Sequence, residues 1–325
     1  MGRACGACWS FRVTSGAEVS VRTRQAGISL VELLVAIVVG LLVVASVLVT
    51  YLSATQNFSQ DQRYVEMIEN ARYAMKALTE DLLLADFWGP VTSPDTVVSG
   101  LAAPDGSCGA AIDLFSTDGA LMVNGDSVAH FAPCDAVTEG RQVGTQVLAV
   151  KHVAGAPGAT SGTRLRSAGV SGLLVDSGAA DTSIGERDWA YQARLYFVRA
   201  FAGEVGDGIP TLCRMNTDGN DLGDAVRLAD GIEDLQLQFG VDDDGDGVPN
   251  RYLSAPTLVE MGRAVSARVF LLARSITPDP QYQDTKAYQL GDKLVDAVND
   301  GHYRRVFTTT VALRNLSHRL AMNSE

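Results

Sequence analysis

No proline precedes Pro90 in this 325-residue chain, so no ring interrupts a helix ladder over that stretch. Basic residues are also scarce, with 26 Lys and Arg against 38 Asp and Glu, for a net charge of −12. Arg3, Arg12, Arg22 and Arg24 face only Glu18 in residues 1–27, a net of +3, which leaves −15 on the remainder. An acidic body without clustered Lys and Arg excludes general nucleic-acid binding, and Arg304-Arg305 is too short a patch to change that. His130, His152, His302 and His318 are scattered, with neither HxH nor HExxH spacing, and read as structural or surface residues. A G-x-S-x-G elbow and a P-loop are missing as well, so no enzyme is expected. Cysteines number five. Cys5 and Cys8 form a lone CxxC without a second ligand pair, a weak metal signal. Three remain, so one is left over; the pair closest in sequence is Cys108–Cys134, and pairings with Cys213 stay open. Closing that loop would constrain the unfolded chain by about 3.5 kcal/mol in the entropy model.

What is present begins at residue 24: RQAGISLVELLVAIVVGLLVVASVLVTYL. Residues 28–52 hold no Lys, Arg, Asp, Pro or His, and one acid, Glu32. As helix these residues span about 38 Å, enough for a hydrocarbon core of roughly 30 Å with some tilt. The basic residues precede the run, which predicts residues 1–27 in the cytoplasm and 53–325 outside. No convincing A-x-A cleavage pattern follows it, so a cut is expected before the run. A carboxylate in such a run costs about 2.5–3.5 kcal/mol at the bilayer centre and less toward the edge, so Glu32 is a functional candidate that needs a cation.

Beyond Leu52 the pattern becomes amphipathic. Tyr64, Ile68, Ala71, Met75, Leu78 and Leu82 recur at helical spacing, with charged residues between them. Gly89-Pro90 is the stop. One helix over 28–86 is predicted, with its stripe packed on the body's own core. From 89 on, strands are predicted at 111–115, 120–123, 146–153, 191–199, 234–241, 265–273 and 305–313, with long loops at 154–188 and 202–232. Leu235, Leu237 and Phe239 alternate with Gln236 and Gln238, the pattern of a half-buried strand.

Residues 242–250 read DDDGDGVPN. Asp242, Asp244 and Asp246 occupy positions 1, 3 and 5 of a calcium loop, Gly247 position 6, the Val248 carbonyl position 7 and Asn250 position 9. Position 12 is Leu253 rather than the bidentate Glu, so this is no complete EF-hand. Two readings stand: a short extracellular calcium loop completed from elsewhere, for example by Glu260, or an acidic turn after a strand.

Gly27, Ile28, Leu30, Val31, Glu32 and Leu33 resemble the class III leader and first segment of type IV pilins and type II secretion pseudopilins. The segments ENARYAMKALTEDLLLADFWG (69–89), LADGIEDLQLQFGVDDDGDG (228–247), SARVFLLARS (266–275) and RRVFTTTVALRN (304–315) resemble PilW-type minor pilins. The resemblance implies an α+β fold: a long N-terminal helix, membrane half plus amphipathic half, packed on a mainly antiparallel β-sheet domain. It implies a leader over 1–27, a membrane or filament-core half over 28–52, an amphipathic half over 53–88 and a β-rich periplasmic domain over 89–325. It further implies a prepilin peptidase cutting between Gly27 and Ile28, N-methylation of the new terminus, and Glu32 meeting that amine on a neighbouring subunit. The expected partners are other minor pilins, the major pilin and a tip adhesin, first in the inner membrane and then at the pilus tip, with no required cofactor beyond the calcium candidate. The competing expectations are a J-type pseudopilin of a type II secretion system and a membrane-anchored calcium-dependent binding module.

Overall fold

The computed structural model describes residues 27, 29–92, 96–117, 119–124, 134–138, 140–176, 178–180 and 182–317. Cys5, Cys8, Ile28, His130 and His318 lie outside them. The chain divides into two compact units, Met1–Asn57 and Phe58–Glu325. Helix α1 (Leu30–Leu84) contributes residues to both, in keeping with the single helix predicted over 28–86.

The second unit continues with β1 (Val97–Ser99), α2 (Cys108–Ala111), β2 (Leu121–Asn124), α3 (Asp135–Thr138), β3 (Val147–Val153), β4 (Arg164–Ala168), β5 (Ser171–Val175) and β6 (Glu186–Arg199). Then come β7 (Thr211–Asp218), β8 (Asp221–Leu222), β9 (Val226–Asp230), β10 (Ile232–Val241), β11 (Arg251–Leu253), α4 (Leu258–Met261), β12 (Ala264–Arg274), β13 (Tyr288–Leu290), β14 (Lys293–Val295) and β15 (Arg304–Ala312). A nine-stranded sheet runs β1-β5-β4-β6-β3-β2, with β7 on β6 and with β8 and β9 on β7. A four-stranded sheet runs β11-β10-β12-β15, and β13-β14 is a separate pair. Among the described residues β1 runs parallel to β5, while the other strand pairs are antiparallel. The 14-residue β6 is the organiser of the large sheet: it pairs β4 over its first part, β7 over its last and β3 along its other edge.

The later part of α1 buries Met67, Ala71, Ala74, Leu78 and Leu82 in a core shared with Leu148, Tyr196 and Leu212 of the large sheet and Leu237, Phe239 and Val269 of the small one. Tyr64, expected on this face, is 37% exposed; the stripe enters the core at Met67 instead. A second core lies around Trp88, Ile112, Leu114, Leu195 and Phe197. Asp81 sits inside the first interface and accepts hydrogen bonds from the Arg194 guanidinium and the Tyr196 hydroxyl, with His152 Nε2 3.6 Å away. Burial opposes its ionisation, but His152, Tyr196 and Arg194 together outweigh that and hold its carboxyl below the usual range. The helix stops because Asp86 takes a left-handed conformation (φ 62°) and Gly89 another (φ 63°). Gly89 also needs its missing side chain, since a Cβ there would stand 2.8 Å from the Trp189 ring.

Three expectations are corrected. Residues 111–115 are not a strand: Ser107 caps α2 by accepting from Ala110 N, and Asp113 turns the chain with φ 47°. The predicted loops 154–188 and 202–232 contain β4, β5 and the start of β6, and β7, β8 and β9, respectively. Their Gly, Ser and Asp content marks the turns and masks the short strands between them. Finally, β10 is not half-exposed, because Gln236 and Gln238 are only 8% and 7% exposed. Gln236 donates to Gly144 O and Asp234 Oδ1, and Gly291, beside the β13–β14 pair, lies against Gln238.

Arg304 locks the end of the small sheet. Its side chain is fully buried and donates to both oxygens of Asp300 at 2.6 and 2.7 Å, to Glu233 at 2.6 and 3.1 Å and to Asp284 at 3.2 Å. These Arg304 bonds lower the Asp300 carboxyl to about 2 against the opposing effect of burial. The unfolded chain therefore binds this proton first, at an ordinary Asp pKa of about 3.9. The stability Asp300 contributes is complete above that value and is lost as pH falls toward 2. Urea midpoints of wild type and Asp300→Asn, measured from pH 5 to pH 2, should differ most at pH 5 and converge on acidification.

Candidate functional site

In the first unit, Gly27 is exposed and open around its Cα, and Glu32 lies in the first turn of α1. A carboxylate there faces the positive end of the helix dipole. No side-chain hydrogen bond or ion pair reaches Glu32 among the described residues, and Ile28, whose amine processing would free, lies outside them. The large apolar side chains from Leu30 to Leu52 are 48–75% exposed. The apolar window of α1 has a mean hydropathy of 3.0 with none of it buried, sufficient by length and composition to cross a membrane. Three hydroxyls in and just beyond this run are satisfied within the helix: Ser46 donates to Val43 O at 2.7 Å, Thr50 to Ser46 O at 2.9 Å and Thr55 to Tyr51 O at 2.6 Å. An apolar solvent therefore meets no free donor from these side chains.

In the second unit the acidic loop links β10 to β11. Carboxylate oxygens of Asp242, Asp244 and Asp246 lie within 4.8 Å of one another. Asp242 is buried, and its two oxygens accept from Gly245 N and Gly247 N, both at 2.7 Å. Burial disfavours its charge, yet these N–H bonds prevail and keep the carboxyl below its ordinary pKa. Asp246 accepts from Val248 N at 2.8 Å, and the Asn250 side chain accepts from Asp243 N at 2.6 Å. The positive φ of Gly245 and Gly247, 80° and 84°, makes the turn. Glu260 is not a free ligand: it closes the α4 capping box with Thr257 and lies 3.0 Å from Arg251. Leu253 is held in β11 opposite Phe239. The loop thus offers three carboxylates and a backbone carbonyl, without a bidentate acid.

Cys108 and Cys134 form a disulfide with Cα atoms 4.5 Å apart, and Cys213 is free and buried on β7. Lys151, wholly buried on β3, donates to Ser116 O at 2.7 Å and Asp113 O at 3.1 Å, pinning the turn that follows α2. His152 and His302 are structural: the first lies beside Asp81, and the Nδ1 of the second meets Ser275 O at 2.7 Å. Sequence reasoning missed the Asp81 cluster and an arginine-lined groove on β4 and β6. The alternation of Arg164 and Arg166 was a period-2 signal for that strand, hidden in a segment that reads as loop.

Residues 195–315 match the family described as Type IV Pilus-assembly protein W, and residues 22–48 match the prokaryotic N-terminal methylation motif. Together these two matches support a PilW-type minor pilin. The motif match covers Gly27 and Glu32, and the PilW match runs from β6 through β15. As a pilin with this motif, the protein is anchored in a membrane by its apolar helix, is processed by prepilin peptidase and assembles with other pilins. No curated protein matches the chain. A type IV-like pilin from Thermus thermophilus of known structure is 12% identical, with 77% of this chain and 96% of that one covered and a TM-score of 0.36.

The disulfide closes a 26-residue separation ahead of β3. Reduction of the full-length minor pilin in detergent should lower its unfolding free energy by about 3.5 kcal/mol. Urea titration with and without dithiothreitol reads this directly.

Proposed function

We propose that this protein is a non-catalytic minor pilin that helps initiate type IV pilus assembly and is incorporated at or near the pilus tip. Before assembly it is stored in the inner membrane, with residues 1–27 cytoplasmic and the β-rich unit periplasmic. Prepilin peptidase cuts between Gly27 and Ile28. The observation that carries this reading is Glu32: an acid in the first helical turn, inside a run of exposed apolar side chains, within a matched methylation motif. Its cation is the new Ile28 amine of an adjacent subunit, which keeps its charge on methylation. In a dry filament core each charge offsets much of the other's desolvation, so the pair sets the register of the incoming subunit. Its partners are other minor pilins, the major pilin and a tip adhesin.

Processing and incorporation separate the roles of the two residues. Gly27→Phe should leave the leader uncut, read as slower migration on a gel. Glu32→Ala should be cut and methylated yet absent from sheared pili, read by immunoblot. Wild-type levels of Glu32→Ala in pili would remove Glu32 from this role. Lost protein secretion with piliation intact would assign the chain to a J-type pseudopilus.

For the acidic loop we propose weak calcium binding through Asp242, Asp244, Asp246 and the Val248 carbonyl, with Asn250 bracing the loop. The convergence of three carboxylates within 4.8 Å supports it, and extracellular modules of this kind bind at about 10⁻⁴–10⁻³ M. Calcium at ten times Kd should stabilise the full-length protein by about 1.4 kcal/mol. The melting temperature should rise in calcium, return with EGTA and stay put in Asp244→Asn. A wild-type melting temperature indifferent to both additions rules the ion out.

A further inference from the structure

The first strands of the large sheet carry a cationic groove on an otherwise acidic protein. The groove holds about 470 Å³ and is lined by residues 157–160, Thr182 and Arg187 together with Arg164, Arg166 and Asp188. Gly158 N and Ala159 N donate to Asp188 O at 2.8 and 3.2 Å, fixing the 157–160 segment to β6. Strand pairing makes the floor: Arg166 is opposite Asp188, and Arg164 is opposite Ala190 two residues along.

Asp188 is shared by two arginines. Arg166 Nε donates to Oδ1 at 2.8 Å and Nη2 to Oδ2 at 2.9 Å, a bidentate pair, while Nη2 also reaches Ala180 O at 2.7 Å. Those Arg166 bonds hold the Asp188 carboxyl below its usual range against the effect of burial, with both guanidinium charges and the Arg164 contact adding to the effect. Arg164 shares that carboxylate and makes the poorer contact with it. It is 4% exposed, its Nε lies 3.1 Å from Asp188 Oδ2 without hydrogen-bond alignment, and among the described residues that N–H has no aligned acceptor. Glu186 does not complete the site, since its Oε2 is 4.0 Å from Arg166 Nε and accepts from Ser183 N at 2.7 Å. Arg187 adds a third, exposed guanidinium at the rim. Among the described residues three guanidiniums thus face two carboxylates, and a buried cation without its full complement of acceptors is costly.

We propose that this groove binds a carboxylate of an acidic polypeptide segment, received by the fork of Arg164 and steered at the rim by Arg187. The planar guanidinium matches a carboxylate bidentately. Choosing a polypeptide over a free acid rests on the assembly reading above, in which this unit meets other protein subunits.

The test uses the full-length protein in detergent with ¹⁵N-labelled arginine, following the Arg164 Nε–H resonance. Tetraglutamate should shift it saturably and tetraglutamine should not. Succinate and inorganic phosphate should bind at least about tenfold more weakly, a difference of one decade in Kd. Arg164→Lys keeps a charge beside Asp188 but loses the fork; followed at Arg166 Nε–H, its tetraglutamate affinity should fall about tenfold. The exposed Arg187→Gln leaves the buried pair intact and should weaken binding several-fold. No saturable shift, or an equal shift with tetraglutamine, overturns the site. Succinate or phosphate matching tetraglutamate overturns the polypeptide source. Normal binding in Glu32→Ala keeps this result distinct from the fate of the assembly reading.

Discussion

The stripe from Met67 to Leu82 has to serve two sheets at once. Residues of β3, β6 and β7 reach it from the large sheet and residues of β10, β12 and β15 from the small one, in a single apolar cluster. Ala71 and Ala74, both fully buried, let the backbone of α1 approach closely, and Leu78 and Leu82 fill the space beyond them. Each buried leucine contributes about 1.5–3 kcal/mol, so these positions count for much of a domain's net stability. Asp81 gives the same interface a polar address. Its two oxygens meet Arg194 and Tyr196 on β6, and a slide of the helix by one turn would strand a buried carboxylate.

The earlier part of the same helix obeys the opposite rule. Its apolar side chains find no cover in their own unit, and the Ser46 and Thr50 hydroxyls are closed onto its own carbonyls. Such a surface suits an apolar surrounding, whether lipid or other apolar helices. Glu32 is the exception within it, and it falls inside the matched methylation motif.

Long periodic segments were legible in the sequence and short or polar ones were not. Helix α1 and strands β3, β10, β12 and β15 follow from apolar patterns that persist over several residues. β4, β5 and β7 escaped because their apolar signal is diluted by Arg, Ser, Gly and Asn that take part in pairing and burial. The glutamines of β10 misled for a related reason. Alternation reports which residues are polar, whereas Gln236 is buried polar, with Gly144 and Asp234 as partners. At the candidate sites, Gly27 and Glu32 stood out through local context alone. The Arg164 groove did not, because it depends on β4 lying beside β6, a pairing between residues about twenty apart that no local pattern announces.

Cys213 carries a consequence for oxidation. The chain has an odd number of cysteines beyond the apolar run, a hazard wherever thiols are oxidised. In the folded unit Cys108 and Cys134 consume each other, while the third sulfur sits in the interior of the large sheet, and burial pushes its thiol pKa up. Both reach and reactivity are thereby withheld, since the thiolate is the species that attacks a disulfide. Packing, rather than a partner sulfur, keeps a folded subunit from cross-linking to its neighbours. The protection begins only when β7 is covered, so the sheet must close before an oxidant arrives.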